Sequence, residues 1–306
     1  MPLHKKDALC DTRATLRQSL SLYIMSLYVL LSVLFAAFCH ASWNALVKFG
    51  NDRFFGLVMI AVFSGVLTIP ALFWFGLPSP DAVPWLALSV LFHIGYIYFL
   101  SQAYNHGDLS QIYPISRGSA PLITALLSIV LFNESLPFMS FVGIVFIISG
   151  VVAIAFAGRK FSLNIKGKAL IFALCTAFFT ACYTLSDGYG ARASQDPVVY
   201  TLWLFLLNGA VLAIPGVMKY KRSLLHGFGQ YWRSGLLGGL MQLISYGIAI
   251  WAMSQAPIVL VAAIRETSVL FAMFLSIVFL KEKFNGMRVL ACIVILLGVL
   301  LAKLSS

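Results

Sequence analysis

The sequence predicts an all-α polytopic membrane protein of ten transmembrane helices, built as two inverted five-helix repeats. Three observations carry that expectation. The chain is 61% hydrophobic and only 10% charged over 306 residues, with a mean hydropathy of +0.94, more apolar material than a soluble core of that size can bury. Ten apolar runs are each long enough to cross a hydrocarbon core of about 30 Å, at 27–47, 54–75, 85–105, 109–132, 138–156, 169–189, 198–218, 234–255, 258–280 and 287–304. The segment RGSAPLITALLSIVLFNE at 117–134 returns as RETSVLFAMFLSIVFLKE at 265–282, an offset of 148 residues. Five spans per copy is an odd number, so the second copy must enter the membrane from the opposite side.

Residues 1–26 precede the first run and carry Lys5, Lys6, Arg13 and Arg17. The apolar run that follows is too long for a signal peptide and contains His40 and Trp43, so it reads as a retained helix. Residues 1–24 are either a start upstream of a native one at Met25 or a basic arm. In the first span His40, Trp43, Asn44 and Lys48 follow i, i+3, i+4 and i+8 spacing and share a face. That face is too polar for lipid. It is expected to look into the bundle, with Trp43 as a stacking wall and Asn44 meeting a polar group of a substrate, or else to serve as interhelical hydrogen-bond glue.

The second span ends in GVLTIP, matched in the seventh by GAVLAIP. The third places His93, Tyr96 and Tyr98 near its middle, and its mate, the eighth, places Gln242, Ser245 and Tyr246. Of these Tyr96 and Tyr246 are the stronger cavity candidates. The fourth span carries Arg117 and ends at Glu134 in NESLP, a start signal for the fifth; Glu134 and its mate Glu282 read as structural. A basic linker, 157–168, separates repeat 1 (27–156) from repeat 2 (169–304). In the sixth span, TACYTLSDGYG at 180–190 aligns with HASWNALVKFG at 40–50, and Asp187 falls just before an expected SDGYG turn. Gly235 and Gly239 in the eighth form a GxxxG pattern, the mark of a close helix contact.

Arg117 and Arg265 stand about eight residues into spans four and nine, roughly 12 Å deep at 1.5 Å per residue. Inversion brings them to opposite sides of the midplane, about 6 Å apart along the normal of a core near 30 Å. A charge at that depth is expensive and marks a functional pathway. The pair suits an anionic group. Glu266 follows Arg265 but points about 100° away around the helix, so its partner must come from another helix. Any coupling to protons is expected to run through Glu266, the one acid beside a site arginine at a depth where desolvation favours its neutral form, with Asp187 and His93 as the next candidates.

The five cysteines form no CxxC or Cys/His cluster, and no HExxH, GxSxG or P-loop is present. No metal site, cofactor, disulfide frame or enzyme chemistry is indicated. The net charge of +11 lies in membrane-flanking loops, where orientation and anionic lipid explain it, so nucleic acid is not an expected partner. Thirteen Lys and Arg fall on one side and six on the side of the termini, which places both termini outward by the positive-inside rule.

The paired segments, with fourth helices closing at Glu134 or Glu282 and fifth helices reading GIVFIISGVV or CIVILLGVLL, resemble the EamA repeats of the drug/metabolite transporter superfamily. The resemblance covers 27–304. It implies a basket of ten helices around a central cavity, metabolite transport, often efflux of amino acids or related compounds, and in several members cytoplasmic termini. The functional expectation is a secondary-active, alternating-access exporter of a small polar metabolite with an anionic group, in a bacterial inner membrane. Its expected partners are that small molecule, membrane lipid and a second copy of the chain in a homodimer. A lipid flippase or a non-transport membrane subunit are the alternatives.

Overall fold

A computed structural model describes residues 25–49, 53–107, 109–134, 136–156, 167–280 and 286–304; the basic arm 1–24, most of the linker and Glu282 lie outside them. The described residues form α1 (Leu27–Phe49), α2 (Arg53–Phe75), α3 (Val83–His106, entered through a 3-10 turn at Pro80–Ala82), α4 (Leu109–Phe132), α5 (Phe138–Phe156), α6 (Gly167–Ala193), α7 (Pro197–Tyr220), α8 (Arg222–Gln255), α9a (Ile258–Arg265), α9b (Ser268–Leu280) and α10 (Gly286–Leu304). Among the described residues the fold is all-helical, with nine helices long and apolar enough to cross a membrane and a shorter apolar one at Phe138–Ile154. Within lipid every backbone polar group must be satisfied inside its own segment, which is why helices alone carry the crossings.

The two repeats are inverted, and their glycines give the direct proof. A Cβ on Gly150 would lie 2.8 Å from Ala291 O, and one on Gly298 would lie 2.7 Å from Gly143 O. Gly150 and Gly298 are 148 residues apart, and so are Gly143 and Ala291, so α5 and α10 cross about a two-fold axis that exchanges the repeats. Gly143 meets Gly298 and Ala302, whereas Gly150 meets Ala291 and Ile295. One chain ascends as the other descends. The mates α2 and α7 behave alike, Gly65 against Phe205 O at 2.9 Å and Gly209 against Ala61 O at 2.8 Å. Without a hydrophobic drive between helices in lipid, such close backbone approach is what holds crossings together. The GxxxG of α8 does the same work: a Cβ on Gly239 would stand 2.8 Å from Ser64 N of α2.

Around this axis α3 packs on α6 and, symmetrically, α8 on α1. The aromatic pair Phe73 and Trp74 at the end of α2 is almost fully exposed, as suits a ring anchored at a membrane interface.

Two elements depart from the expected pattern. The ninth span is not continuous: at Glu266 and Thr267 the ladder tightens, with Glu266 N–H donating to Ala263 O and Thr267 N–H to Ile264 O. These three-residue bonds divide α9a from α9b. The expected SDGYG turn is absent, since α6 runs straight through it to Ala193. Its glycines are packing positions, where a Cβ on Gly188 would meet Ile258 at 2.5 Å and one on Gly190 the Tyr200 ring at 2.3 Å. Asp187 is consequently a helix-interior residue with no exposure at all, not an interfacial one.

Candidate functional site

Breaking the ninth span between Arg265 and Ser268 leaves Arg265 as the last residue of α9a and puts Glu266 on the connecting turn. The turn aims Glu266 at α4. Arg117 Nη1 donates to Glu266 Oε1 at 3.2 Å, and Arg117 Nη2 donates to His40 Nε2 of α1 at 2.6 Å. The partner for Glu266 thus comes from another helix, as its angular position requires. Glu266 Oε2 and Thr267 Oγ1 are buried and, among the described residues, make no hydrogen bond.

A narrow cavity opens between these helices, lined by Arg117, Pro121 and Thr124 of α4, Thr180, Tyr183 and Thr184 of α6, and Ala262, Arg265 and Glu266 of the α9 region. Its free volume of about 20 Å³ is room for a water or two and nothing larger. Arg265 lies with its Cζ 4.6 Å from the centre of the Tyr246 ring of α8. Among the described residues no carboxylate lies within ion-pair distance of it. The cavity therefore holds two guanidinium groups and one carboxylate.

Behind Tyr246 lies a second polar group. The Tyr246 hydroxyl donates to Asp187 Oδ2 at 2.5 Å, and the Tyr200 hydroxyl of α7 donates to Asp187 Oδ1 at 3.0 Å. His93 of α3 stacks on Tyr183, ring centres 4.0 Å apart, with Nδ1 donating to Ser89 O at 2.9 Å. Tyr96 meets the edge of the same tyrosine at 5.7 Å.

Of the remaining expected residues, Trp43 packs edge-on to His40 at 5.2 Å, and its Nε1 is buried without a partner among the described residues. Asn44 departs from the inward face assigned to it. Its side chain is exposed and donates to His40 O of its own helix at 2.7 Å, which satisfies the amide without a neighbour. The Lys48 side chain lies outside the described residues. Tyr98 is exposed against Phe99 rather than turned to the cavity. Ser245 donates to Ala36 O across the α1–α8 contact.

Tyr183 and Tyr200 were not singled out in the sequence. Tyr183 could have been, because it is the repeat mate of Trp43 in the alignment of 180–190 with 40–50. Tyr200 has no polar or aromatic periodicity around it to mark it.

Glu134 is structural in a way the sequence does not suggest. It does not start α5. Asn133 adopts a left-handed conformation with φ 52° and its N–H donates to Ile129 O, which closes α4 as an αL cap, while Glu134 N–H donates to Ser128 O. The Glu134 carboxylate then accepts from Arg192 Nη1 at 2.9 Å, the Tyr189 hydroxyl at 3.0 Å and Ser128 Oγ at 2.6 Å. Arg192 also donates to Met253 O and Ala256 O at the end of α8. Tyr189 stacks on Phe132 at 3.9 Å and on Trp85 at 5.6 Å, and those two rings lie 6.3 Å from each other, so the three form one cluster. This clasp ties repeat 1 to repeat 2 at the end of the bundle where Met25 O meets Lys303.

Residues 27–156 and 167–304 each match the model of the EamA-like transporter family. The chain is a member of that family, a multi-pass membrane transporter in two repeats. A comparison with curated sequences gives no match. Twenty-nine chains of solved structures resemble it; one crystal structure superposes with a TM-score of 0.70 at 18% identity, over 90% of this chain and 96% of its own. At that identity the likeness bears on fold.

Proposed function

We propose that the protein is a secondary-active, alternating-access exporter of a small polar metabolite bearing an anionic group, such as an amino acid or organic acid, in a bacterial inner membrane. The observation that carries this reading is the charge balance of the cavity: Glu266 occupies Arg117, while Arg265 rests on an aromatic face and lacks a carboxylate among the described residues. A cation held at membrane depth calls for an anion. A carboxylate entering the cavity would meet the fork of Arg265 first and share Arg117 as Glu266 is displaced, with Tyr183 as an apolar wall beside it.

Exchange of labelled amino acids, organic acids and phosphonates in proteoliposomes tests the reading. Arg265→Ala is expected to abolish uptake of the active compound, and Arg265→Lys to restore little, because an ammonium cannot bind a carboxylate bidentately. Near-normal exchange by Arg265→Ala would remove the arginine from the site.

A further inference from the structure

We propose that Asp187 is the carrier's proton-binding site, and that Tyr246 links its protonation to Arg265. Among the described acids Asp187 and Glu266 are the buried ones, and their surroundings differ in kind. Glu266 has a guanidinium partner. Asp187 has none among the described residues; two phenol hydroxyls donate to it, and the Ser89 hydroxyl and the His93 ring stand beside it. The charge on a buried carboxylate costs several kcal/mol unless it is compensated, and neutral donors compensate it only in part. Taking up a proton abolishes that charge.

The geometry also says which cation the site can take. A metal ion needs several oxygen ligands turned toward it, whereas Tyr200 and Tyr246 aim hydrogens at the carboxylate. Asp187 has no surface open to water, and a metal ion would have to displace both phenol hydrogens from the carboxylate. The titratable or charged groups that face it are His93 of α3, Tyr200 of α7, Tyr246 of α8 and Tyr183 of its own helix, with Arg265 of α9a reaching it through Tyr246.

The proton arrives from water on one side when the helices part, adds to a carboxylate oxygen, and leaves to water on the other side. Only an O–H bond forms and breaks. While Asp187 is ionised, both oxygens accept from the phenols and Tyr246 is fixed with its face under Arg265. Once one oxygen carries hydrogen, Asp187 has lost an acceptor, the grip on Tyr246 weakens, and Arg265 is released from its platform. Proton and anion are thereby coupled across one aromatic ring.

The purpose of this device rests on the carrier reading, but its test does not need the substrate. Infrared difference spectra of the full-length protein in liposomes, recorded across a pH series in H2O and D2O, detect the carbonyl stretch of a protonated carboxyl. The expected result is a band that grows as pH falls, moves down in D2O, vanishes in Asp187→Asn and persists in Glu266→Gln. Tyr246→Phe and Tyr200→Phe should shift its frequency by removing one donor each, and they keep the test decisive if Asp187→Asn does not fold. A band that survives Asp187→Asn, that disappears in Glu266→Gln, that ignores both phenylalanine variants, or that is missing from the wild type overturns the proposal. Failure here with Arg265→Ala still inactive leaves the anion site standing. The converse result leaves the proton site standing without it.

Discussion

Arg117 and Arg265 occupy the same position in the two repeats, yet their surroundings make them respond differently to truncation. Arg117→Ala strands the Glu266 carboxylate in a buried site, and breaking such a pair from one side costs on the order of 3–5 kcal/mol. Arg265→Ala breaks no ion pair among the described residues and removes a contact with the Tyr246 face, which is worth about 0.5–2 kcal/mol. Thermal unfolding in detergent should therefore drop far more for Arg117→Ala than for Arg265→Ala. Adding Glu266→Gln should recover most of the first loss without recovering transport. Equal unfolding temperatures for the two alanine variants would show that the ion pair does not hold the helices together.

At the scale of elements, the glycine crossings and the Glu134 clasp make separate predictions. Gly298→Leu drives a side chain into Gly143 O and the Ile147 backbone, both within 2.7 Å of the new Cβ. Overpacking of this kind costs typically 1–3 kcal/mol, and here backbone must move. Gly167→Ala, with nothing within 4 Å, should leave stability unchanged, so a melting difference between the two variants measures the crossing itself. The clasp closes one end of the bundle, and the alternating access proposed above would require it to part. Arg192→Gln, which removes the cation paired with Glu134, should raise the labelling of Thr124→Cys by an impermeant maleimide from the clasp side several-fold, in a background without native cysteines. Unchanged labelling would make the clasp a fixed brace instead of a gate.

The same elements divide what is legible in a sequence from what is not. The repeat offset, the ten crossings, the two arginines and the need of Glu266 for a distant partner all follow from local spacing, because helix geometry alone fixes them. The break after Arg265 does not, since RETS carries neither proline nor glycine and the tightened turn depends on where Arg117 draws Glu266. Asp187 misleads for a related reason. DGYG has the composition of a turn and equally that of a closely packed helix, and only Ile258 and Tyr200, distant in the chain, decide between them.

For the whole molecule, orientation is the property to measure first. The distribution of thirteen Lys and Arg on one side against six on the other favours termini that face outward. A cysteine at Ser306, in a background without the native ones, should then react with an impermeant maleimide in intact cells. Reaction only after lysis would reverse the orientation and place the clasp on the cytoplasmic side.

The two-fold axis exchanges α1 with α6, and the residue that stands in α1 where α6 has Asp187 is Val47. A carrier with chemically identical halves would be a symmetric rocker, its two resting poses equal in free energy and its bias supplied only by concentration. On the proposal above a proton acts on one half alone, so each uptake would weigh on a single arm of the balance. That lopsidedness is the ingredient a rectifier needs.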